Sequence, residues 1–161
     1  MKIHTLKSEV WVPRRHEAVF EFFSRAENLE TLTPHWLNFA ILDQRPITMN
    51  TGTRIRYRFH LHGIPLRWES EITVWEPPSR FVDEQRTGPY RLWIHEHQFL
   101  EHEGGTKVRD TVRYSAAGGY LVHRLFVASD LSRIFEFRRR KIAEIFRQTG
   151  AEMSAGHAKT L

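Results

Sequence analysis

Two histidines, His95 and His97, stand in a run whose alternate positions read Trp93, His95, His97 and Phe99. Alternate side chains of an extended strand share one face. If that face points inward, two imidazoles lie inside an apolar wall. Imidazole exchanges a proton near neutral pH, and a neighbouring carboxylate orients the ring and raises its proton affinity. Asp83, Gln85 and Asp110 are the polar residues that adjacent strands would bring to the same place. Two chemistries are then open: acid–base dyads, or a hydrogen-bonded network that fixes strand register and orients a ligand. Two His and two Asp also suit zinc or iron. Histidines two apart on a strand are, however, an ordinary product of alternation, and no His-Glu-x-x-His sequence is present, so no metal and no other cofactor is expected. Gly104-Gly105 and Gly118-Gly119 read as turns, not as a phosphate-binding loop.

The elements that must position these groups follow from hydropathy. Residues 2–12 predict a strand that stops at Pro13, which lacks a backbone donor. Residues 14–23 have helical spacing, with Ala18, Val19, Phe22 and Phe23 on one side, and a second short helix over 27–32 ends before Thr33-Pro34. Residues 36–42 predict a strand of poor periodicity. Beyond Thr53, Ile55, Tyr57, Phe59 and Leu61 alternate with Arg54, Arg56, Arg58 and His60. The turn His62-Gly63-Ile64-Pro65 leads to a strand whose Trp68, Ser70, Ile72 and Val74 share a face, and Glu76-Pro77-Pro78-Ser79 turns the chain again. The hairpin 81–99 and the strand 106–114 complete a five-stranded meander. Leu121, Leu125, Ala128, Leu131, Ile134, Phe135, Ile142, Ile145 and Phe146 form a helical stripe, with a break or cap at Ser129 or Asp130 and a stop at Gly150.

Turn parity decides which faces coincide. Pairing Leu61 with Leu66 sets Phe59 against Trp68, Tyr57 against Ser70 and Ile55 against Ile72. Pairing Trp75 with Arg80 sets Val74 against Phe81, Ile72 against Asp83 and Ser70 against Gln85. A five-residue connection over 87–91 then sets Asp83 against His95 and Gln85 against Trp93. Pairing Glu101 with Thr106 sets His97 against Asp110 and His95 against Val112. A four-residue connection over 87–90 would instead send both histidines outward. The inward register leaves Glu96 and Gln98 in solvent with Trp93 and Phe99 inside, and it gathers Asp83, Gln85, His95, His97 and Asp110 beside Tyr57, Phe59, Trp68, Trp93, Phe99 and Tyr114.

At 161 residues the chain is expected to form a single domain over 1–148, followed by a flexible tail over 149–161. Without cysteine, disulfides and thiolate chemistry are excluded. No apolar leader or membrane-length run is present, so a cytoplasmic location is expected. The net charge of +5 is mild, and Arg54, Arg56, Arg58 and Arg67 share the outer sheet face with Glu69, Glu71, Glu84 and Glu96. That face and the helical run Arg138-Arg139-Arg140-Lys141 read as solvated charge, with no nucleic-acid partner expected.

The order strand, two short helices, six strands, long C-terminal helix resembles the helix-grip fold of START domains, Bet v 1 allergens and polyketide cyclase/dehydrase-like proteins, the SRPBCC superfamily. The resemblance spans about residues 2–148. It is strongest to bacterial ligand-binding SRPBCC proteins of unassigned function, through Phe20-Glu21-Phe22-Phe23, Ile64-Pro65-Leu66-Arg67-Trp68, Trp75-Glu76-Pro77-Pro78, Phe81-Val82-Asp83-Glu84-Gln85, Gly88-Pro89-Tyr90 and Trp93-Ile94-His95-Glu96-His97. It implies an α+β fold: a curved antiparallel seven-stranded sheet wrapped on the C-terminal helix, with a cavity between them. The expected function is binding of a hydrophobic or aromatic, lipid- or polyketide-like molecule; the turn composition of loops 62–66 and 87–92, with the bend near Ser129, marks them as the expected entrance gates. The expected ligand residues are Tyr57, Phe59, Trp68, Asp83, Gln85, Tyr90, Trp93, His95, His97, Phe99, Asp110 and Tyr114. The alternative is a cyclase or dehydratase in which His95 or His97, with Asp83 or Asp110, withdraws a proton while Tyr90 or Tyr114 steadies the enolate.

Overall fold

Short connections between alternating strands leave an antiparallel meander as the natural arrangement, and the chain adopts it. The computed structural model describes residues 2–116, 118 and 126–157, with side chains as far as residue 147. In chain order the elements are β1 (His4–Val12), α1 (His16–Phe23), α2 (Asn28–Leu32), a 3-10 turn (His35–Leu37), β2 (Ala40–Ile41), β3 (Arg54–Leu61), β4 (Ile64–Glu76), β5 (Arg80–Thr87), β6 (Tyr90–His102), β7 (Gly105–Ala116) and α3 (Ala128–His157). The strands form one seven-stranded sheet in the order β1-β7-β6-β5-β4-β3-β2. With the short helices between β1 and β2 and α3 packed on the sheet, this is the helix-grip α+β fold. No described helix is long and apolar enough to cross a membrane.

Three local expectations are corrected. Residues 36–42 do not form a strand. Pro34 opens a 3-10 turn, Asn38 then takes the left-handed conformation (φ 44°), and only Ala40–Ile41 remain extended. Leu61 pairs with Ile64, not Leu66. The turn is the two-residue His62-Gly63, both at positive φ (50° and 77°), the geometry that matches strand twist. Phe59 therefore faces Leu66, Tyr57 faces Trp68 and Ile55 faces Ser70. This shift by two residues preserves which face each side chain occupies. Finally, Gly150 does not stop α3, which runs on to His157. Leu121, Leu125 and Gly119 lie outside the described residues; α3 begins at Ala128, with Ser129 and Asp130 in its first turn.

The β4–β5 pairing shows how the sheet protects its parity. Trp75 faces Phe81 and Val74 faces Val82, one residue out from the expectation. An irregularity between Ile72 and Val74 then absorbs one residue, so Ile72 faces Asp83 and Ser70 faces Gln85 as expected. The extra residue of a bulge changes which side chains oppose each other without breaking the ladder. On the outer face, Arg54 bridges Glu69 and Glu71, Arg86 bridges Glu71 and Glu84, and Arg80 bridges Glu76 and Glu96. That side of the sheet is solvated mixed charge, as its alternation implied.

At the start of β7, Gly105 is buried against β1, and a Cβ there would collide with the Val12 carbonyl oxygen and the Trp11 ring. Gly105→Ala is therefore expected to destabilise the fold by about 1–3 kcal/mol through forced separation of β1 and β7. The denaturant midpoint measures it; an unchanged midpoint would refute this reading of the contact.

Candidate functional site

The sheet face turned towards α3 carries an ordered sequence of chemistries. On β6, Trp93, His95, His97 and Phe99 are all buried. Across the ladder, His97 faces Asp110 and His95 faces Val112 on β7, while Asp83 on β5 faces His95. The inward register is therefore the one the chain adopts, and it holds because the β5–β6 connection is itself pinned. The Gln85 amide donates to the Tyr90 carbonyl at 2.7 Å, and the Tyr90 N–H donates back to the Gln85 Oε1 at 3.2 Å. One glutamine thus closes the turn around Gly88-Pro89.

Within this frame the two histidines and two aspartates form a compact lattice. His95 Nε2 lies 2.8 Å from Asp110 Oδ1, and His97 Nε2 lies 2.8 Å from Asp83 Oδ2. His97 Nδ1 is 3.1 Å from Asp110 Oδ1, whereas His95 Nδ1 is 3.6 Å from Asp83 Oδ2. The imidazole rings lie 3.7 Å apart, with Phe81 stacked on His97 at 4.1 Å. Ser70 anchors the other end: its hydroxyl donates to Asp83 Oδ1 at 3.2 Å and accepts from Trp68 Nε1 at 2.9 Å. The Tyr57 hydroxyl also meets Ser70 Oγ, at 3.2 Å.

The residue that sequence reasoning misplaced is Arg138. Expected in a solvated basic patch, it is 6% exposed and reaches from α3 to Asp110, with Nε 3.1 Å from Oδ2 and Nη2 3.4 Å from Oδ1. Its Nη2 is also 3.3 Å from His97 Nδ1. The signal was present in the spacing: Leu131, Phe135, Arg138, Ile142 and Phe146 follow one helical face, and all are buried. A lone arginine on an apolar stripe needs a buried anion, and Asp110 is that anion.

Charge balance fixes the protonation pattern. Asp83 and Asp110 carry two negative charges and Arg138 one positive, so a single proton on the histidine pair makes the cluster neutral. His97 is its better seat, because both of its nitrogens face a carboxylate at 3.1 Å or less. Burial pulls the His97 proton affinity down, but hydrogen bonds to Asp110 and Asp83 outweigh it and hold the pKa above the ordinary imidazole value. Burial, followed by the His97 charge, pulls His95 below that value. Burial pushes Asp110 up, yet Arg138 and the two imidazoles hold it well below the usual carboxylate range. Asp83 is likewise lowered: burial opposes ionisation, and the His97 hydrogen bond and the imidazole charges win. Burial and the Asp83 charge raise Tyr57 well above the ordinary phenol value.

A cavity of about 220 Å³ opens beside this lattice, between the sheet, α2 and α3. Among the residues expected to contact a ligand, Tyr57, Phe59, Trp68, Asp83, Tyr90, Trp93, His95 and His97 line it. Gln85, Phe99, Asp110 and Tyr114 do not. Gln85 holds the turn; Phe99 packs among Phe20, Phe23 and Phe81; Asp110 sits behind the imidazoles; and Tyr114 packs against Trp93 and His4. The helical contributors Leu131, Ile134, Phe135 and Arg138, together with Ser70 and Ile72, line the wall without having been expected there. Near the β3–β4 turn, His62 Nε2 meets Asp130 Oδ2 of α3 at 2.8 Å.

Comparison with known proteins places this geometry in context. A family model described as polyketide cyclase/dehydrase and lipid transport matches residues 12–138. Against curated proteins the chain has no significant match. Among solved structures, the Zhui aromatase/cyclase of a Streptomyces species is similar at TM-score 0.72 and 13% identity, covering 91% of this chain and 95% of that one. A Thermus thermophilus protein is similar at TM-score 0.65 and 20% identity, covering 91% of this chain and 99% of that one. The major latex-like protein 151 of Panax ginseng is similar at TM-score 0.66 and 9% identity, covering 89% and 97%. At these identities the structural likeness shows a shared fold.

Two outcomes follow from the buried cluster. Arg138→Met leaves Asp110 buried without its cation and is expected to destabilise the protein by about 3–5 kcal/mol. Combined with Asp110→Asn, the loss should be smaller than the sum of the single losses; strict additivity in urea unfolding would refute the coupling. With pH, the raised His97 contributes stability below its unfolded-state pKa, about 6.5, and loses it as pH rises through the folded value. The lowered His95, Asp83 and Asp110 contribute above their unfolded values and lose it as pH falls through the folded ones. Tm is therefore expected to peak near neutrality, and His97→Gln should flatten the alkaline decline measured by scanning calorimetry.

Proposed function

Since the chain belongs to the polyketide cyclase/dehydrase and lipid transport family, within the SRPBCC superfamily, we propose that it binds a small hydrophobic or aromatic molecule, lipid- or polyketide-like, between the sheet and α3. The observation that carries this is the composition of the cavity wall: mainly aromatic and aliphatic side chains, with a polar pole where Ser70, Asp83, His95, His97 and Arg138 converge, and Arg25, Asn28, Thr33 and Asp130 elsewhere on the lining. A wall of that kind gains affinity from apolar area and orientation from a few converging polar groups. An apolar cavity of about 150 Å³ already admits benzene, so the space here suits one or two rings or a short acyl segment. The ligand's oxygen, a carbonyl or hydroxyl, lies at the imidazole pole, and its apolar body packs against Tyr57, Phe59, Trp68 and Trp93. The His62–Asp130 contact joins the β3–β4 turn to the first turn of α3 beside Leu61, Val127 and Asp130, which line the cavity, and in this reading it acts as a latch for ligand exchange.

One observation favours a second, enzymatic reading, a cyclase or dehydratase. With Nε2–H donating to Asp110, His95 keeps an Nδ1 lone pair that has no carboxylate within hydrogen-bonding distance, and the ring lines the cavity. That nitrogen is placed to take a proton from carbon beside a bound carbonyl, and Tyr90, at the same wall, to hydrogen-bond the resulting enolate.

Calorimetric titration with 1-naphthol and naphthalene tests the binding reading. Leu131→Trp, which fills the cavity, is expected to abolish both; His95→Phe should weaken 1-naphthol about three- to tenfold, the worth of one hydrogen bond, and leave naphthalene unchanged. Equal binding of both compounds to the Leu131→Trp protein would refute the site.

A further inference from the structure

Resting on the cavity reading above, we propose that Asp83, His95 and His97 form a binding site for one divalent first-row transition ion of the zinc or ferrous class, with its open coordination positions turned into the cavity. One donor atom from each of the three residues lies within 4.8 Å of the other two. Asp83 Oδ2 is 2.8 Å from His97 Nε2 and 3.6 Å from His95 Nδ1. An ion held by bonds of about 2.1 Å has neighbouring donors roughly 3 Å apart, close to the two separations from Asp83, and the third lies within 4.8 Å. The cation takes the place of the proton that the histidine pair otherwise holds.

The far side of each ring singles this triad out. His95 Nε2 is hydrogen-bonded to Asp110 Oδ1 at 2.8 Å, and His97 Nδ1 lies 3.1 Å from the same oxygen and 3.3 Å from Arg138 Nη2. His95 can donate its distal Nε2–H to Asp110, which directs its Nδ1 lone pair towards Asp83, and on His97 the ion takes the place of the Nε2 proton that faces Asp83. Metal-bound histidines are held by a carboxylate in this way, and the partner fixes both tautomer and ring plane. The third ligand is prepared too: Ser70 donates to Asp83 Oδ1, and Oδ2 remains for the ion. The opposite face of the histidine pair is closed to a cation, because the Arg138 guanidinium lies 3.1 Å from Asp110 and 3.3 Å from His97 Nδ1. The charges thus sort themselves, with arginine on the Asp110 side and a metal ion on the Asp83 side.

Two imidazoles and one carboxylate, without thiolate, suit zinc, iron and their first-row neighbours better than calcium or magnesium. Three protein ligands leave at least one position for water or an exogenous donor. All three residues line the cavity, so the oxygen of the bound molecule is the donor placed to fill it.

The test uses the full chain, stripped with EDTA and titrated with Co2+, whose visible absorption reports nitrogen and oxygen coordination, with Zn2+ as competitor. One Co2+ per chain is expected, displaced by stoichiometric Zn2+. Asp83→Asn and His97→Gln should each weaken binding by about 100-fold, and Ser70→Ala, which keeps every ligand, by about tenfold. Circular dichroism checks that each variant is folded. The competing exposed cluster His16, Glu17 and Glu101 is removed by His16→Ala, which should leave the spectrum unchanged. Absence of Co2+ uptake, uptake abolished by His16→Ala, or uptake indifferent to Asp83→Asn and Ser70→Ala would overturn the site. Addition of 1-naphthol should perturb the Co2+ spectrum. Naphthol binding without Co2+ uptake sinks the metal site alone; Co2+ uptake without naphthol binding sinks the cavity reading, and with it the exogenous donor.

Discussion

The buried contact between Asp110 and Arg138 is the constraint on which the interior is organised. A carboxylate placed in the middle of a sheet face must find a cation, and a guanidinium on an apolar helical stripe must find an anion. Each answers the other across the sheet–helix interface, at 3.1 Å. The pair fixes where along its length α3 meets β7, and the two histidines are then oriented by the carboxylate that the arginine neutralises. Asp83, Ser70 and Trp68 extend the same chain of hydrogen bonds to β5 and β4.

This polar layer lies between two apolar ones, and the three are in register along β4, β6, β7 and α3. On one side Phe81, Phe99, Val108, Ile142 and Phe146 pack with the aromatic residues of α1. On the other Trp68, Trp93, Val112, Tyr114, Leu131 and Phe135 pack together. Along β6 the order is Trp93, His95, His97, Phe99; along α3 it is Phe135, Arg138, Ile142. Close-packed apolar layers hold the strands and helix at fixed distances, and the cavity forms where the aromatic walls of β3, β4 and β6 stand apart from α3. The polar layer borders that space through Ser70, Asp83, His95, His97 and Arg138, while Asp110 sits behind them.

The binding, acid–base and metal readings of the site share one physical basis. Each uses the side of the imidazole pair that borders the cavity, while Asp110 and Arg138 hold its far side. What they have in common is that the protein has already oriented the rings.

Alternation and turn parity alone determined the sheet, the inward face of the histidines and their opposition to Asp83 and Asp110, because the two-residue period of a strand leaves a binary choice at each turn. They tolerated errors: the β3–β4 register moved by two and the β4–β5 register by one, yet the faces survived, the first because two is a full period and the second because a bulge restored it. The sequence did not reveal the left-handed Asn38 that ends the expected second strand, since its apolar run had no alternation to break. Nor did it separate Gln85, Phe99, Asp110 and Tyr114, which support the wall, from the residues that form it; facing inward is a property of a strand, whereas lining a cavity depends on how far the opposite layer stands away. Arg138 shows the same division. Its place on the stripe was readable from helical spacing, but its role required knowing that Asp110 lay opposite, and that juxtaposition exists only once α3 has packed against β7.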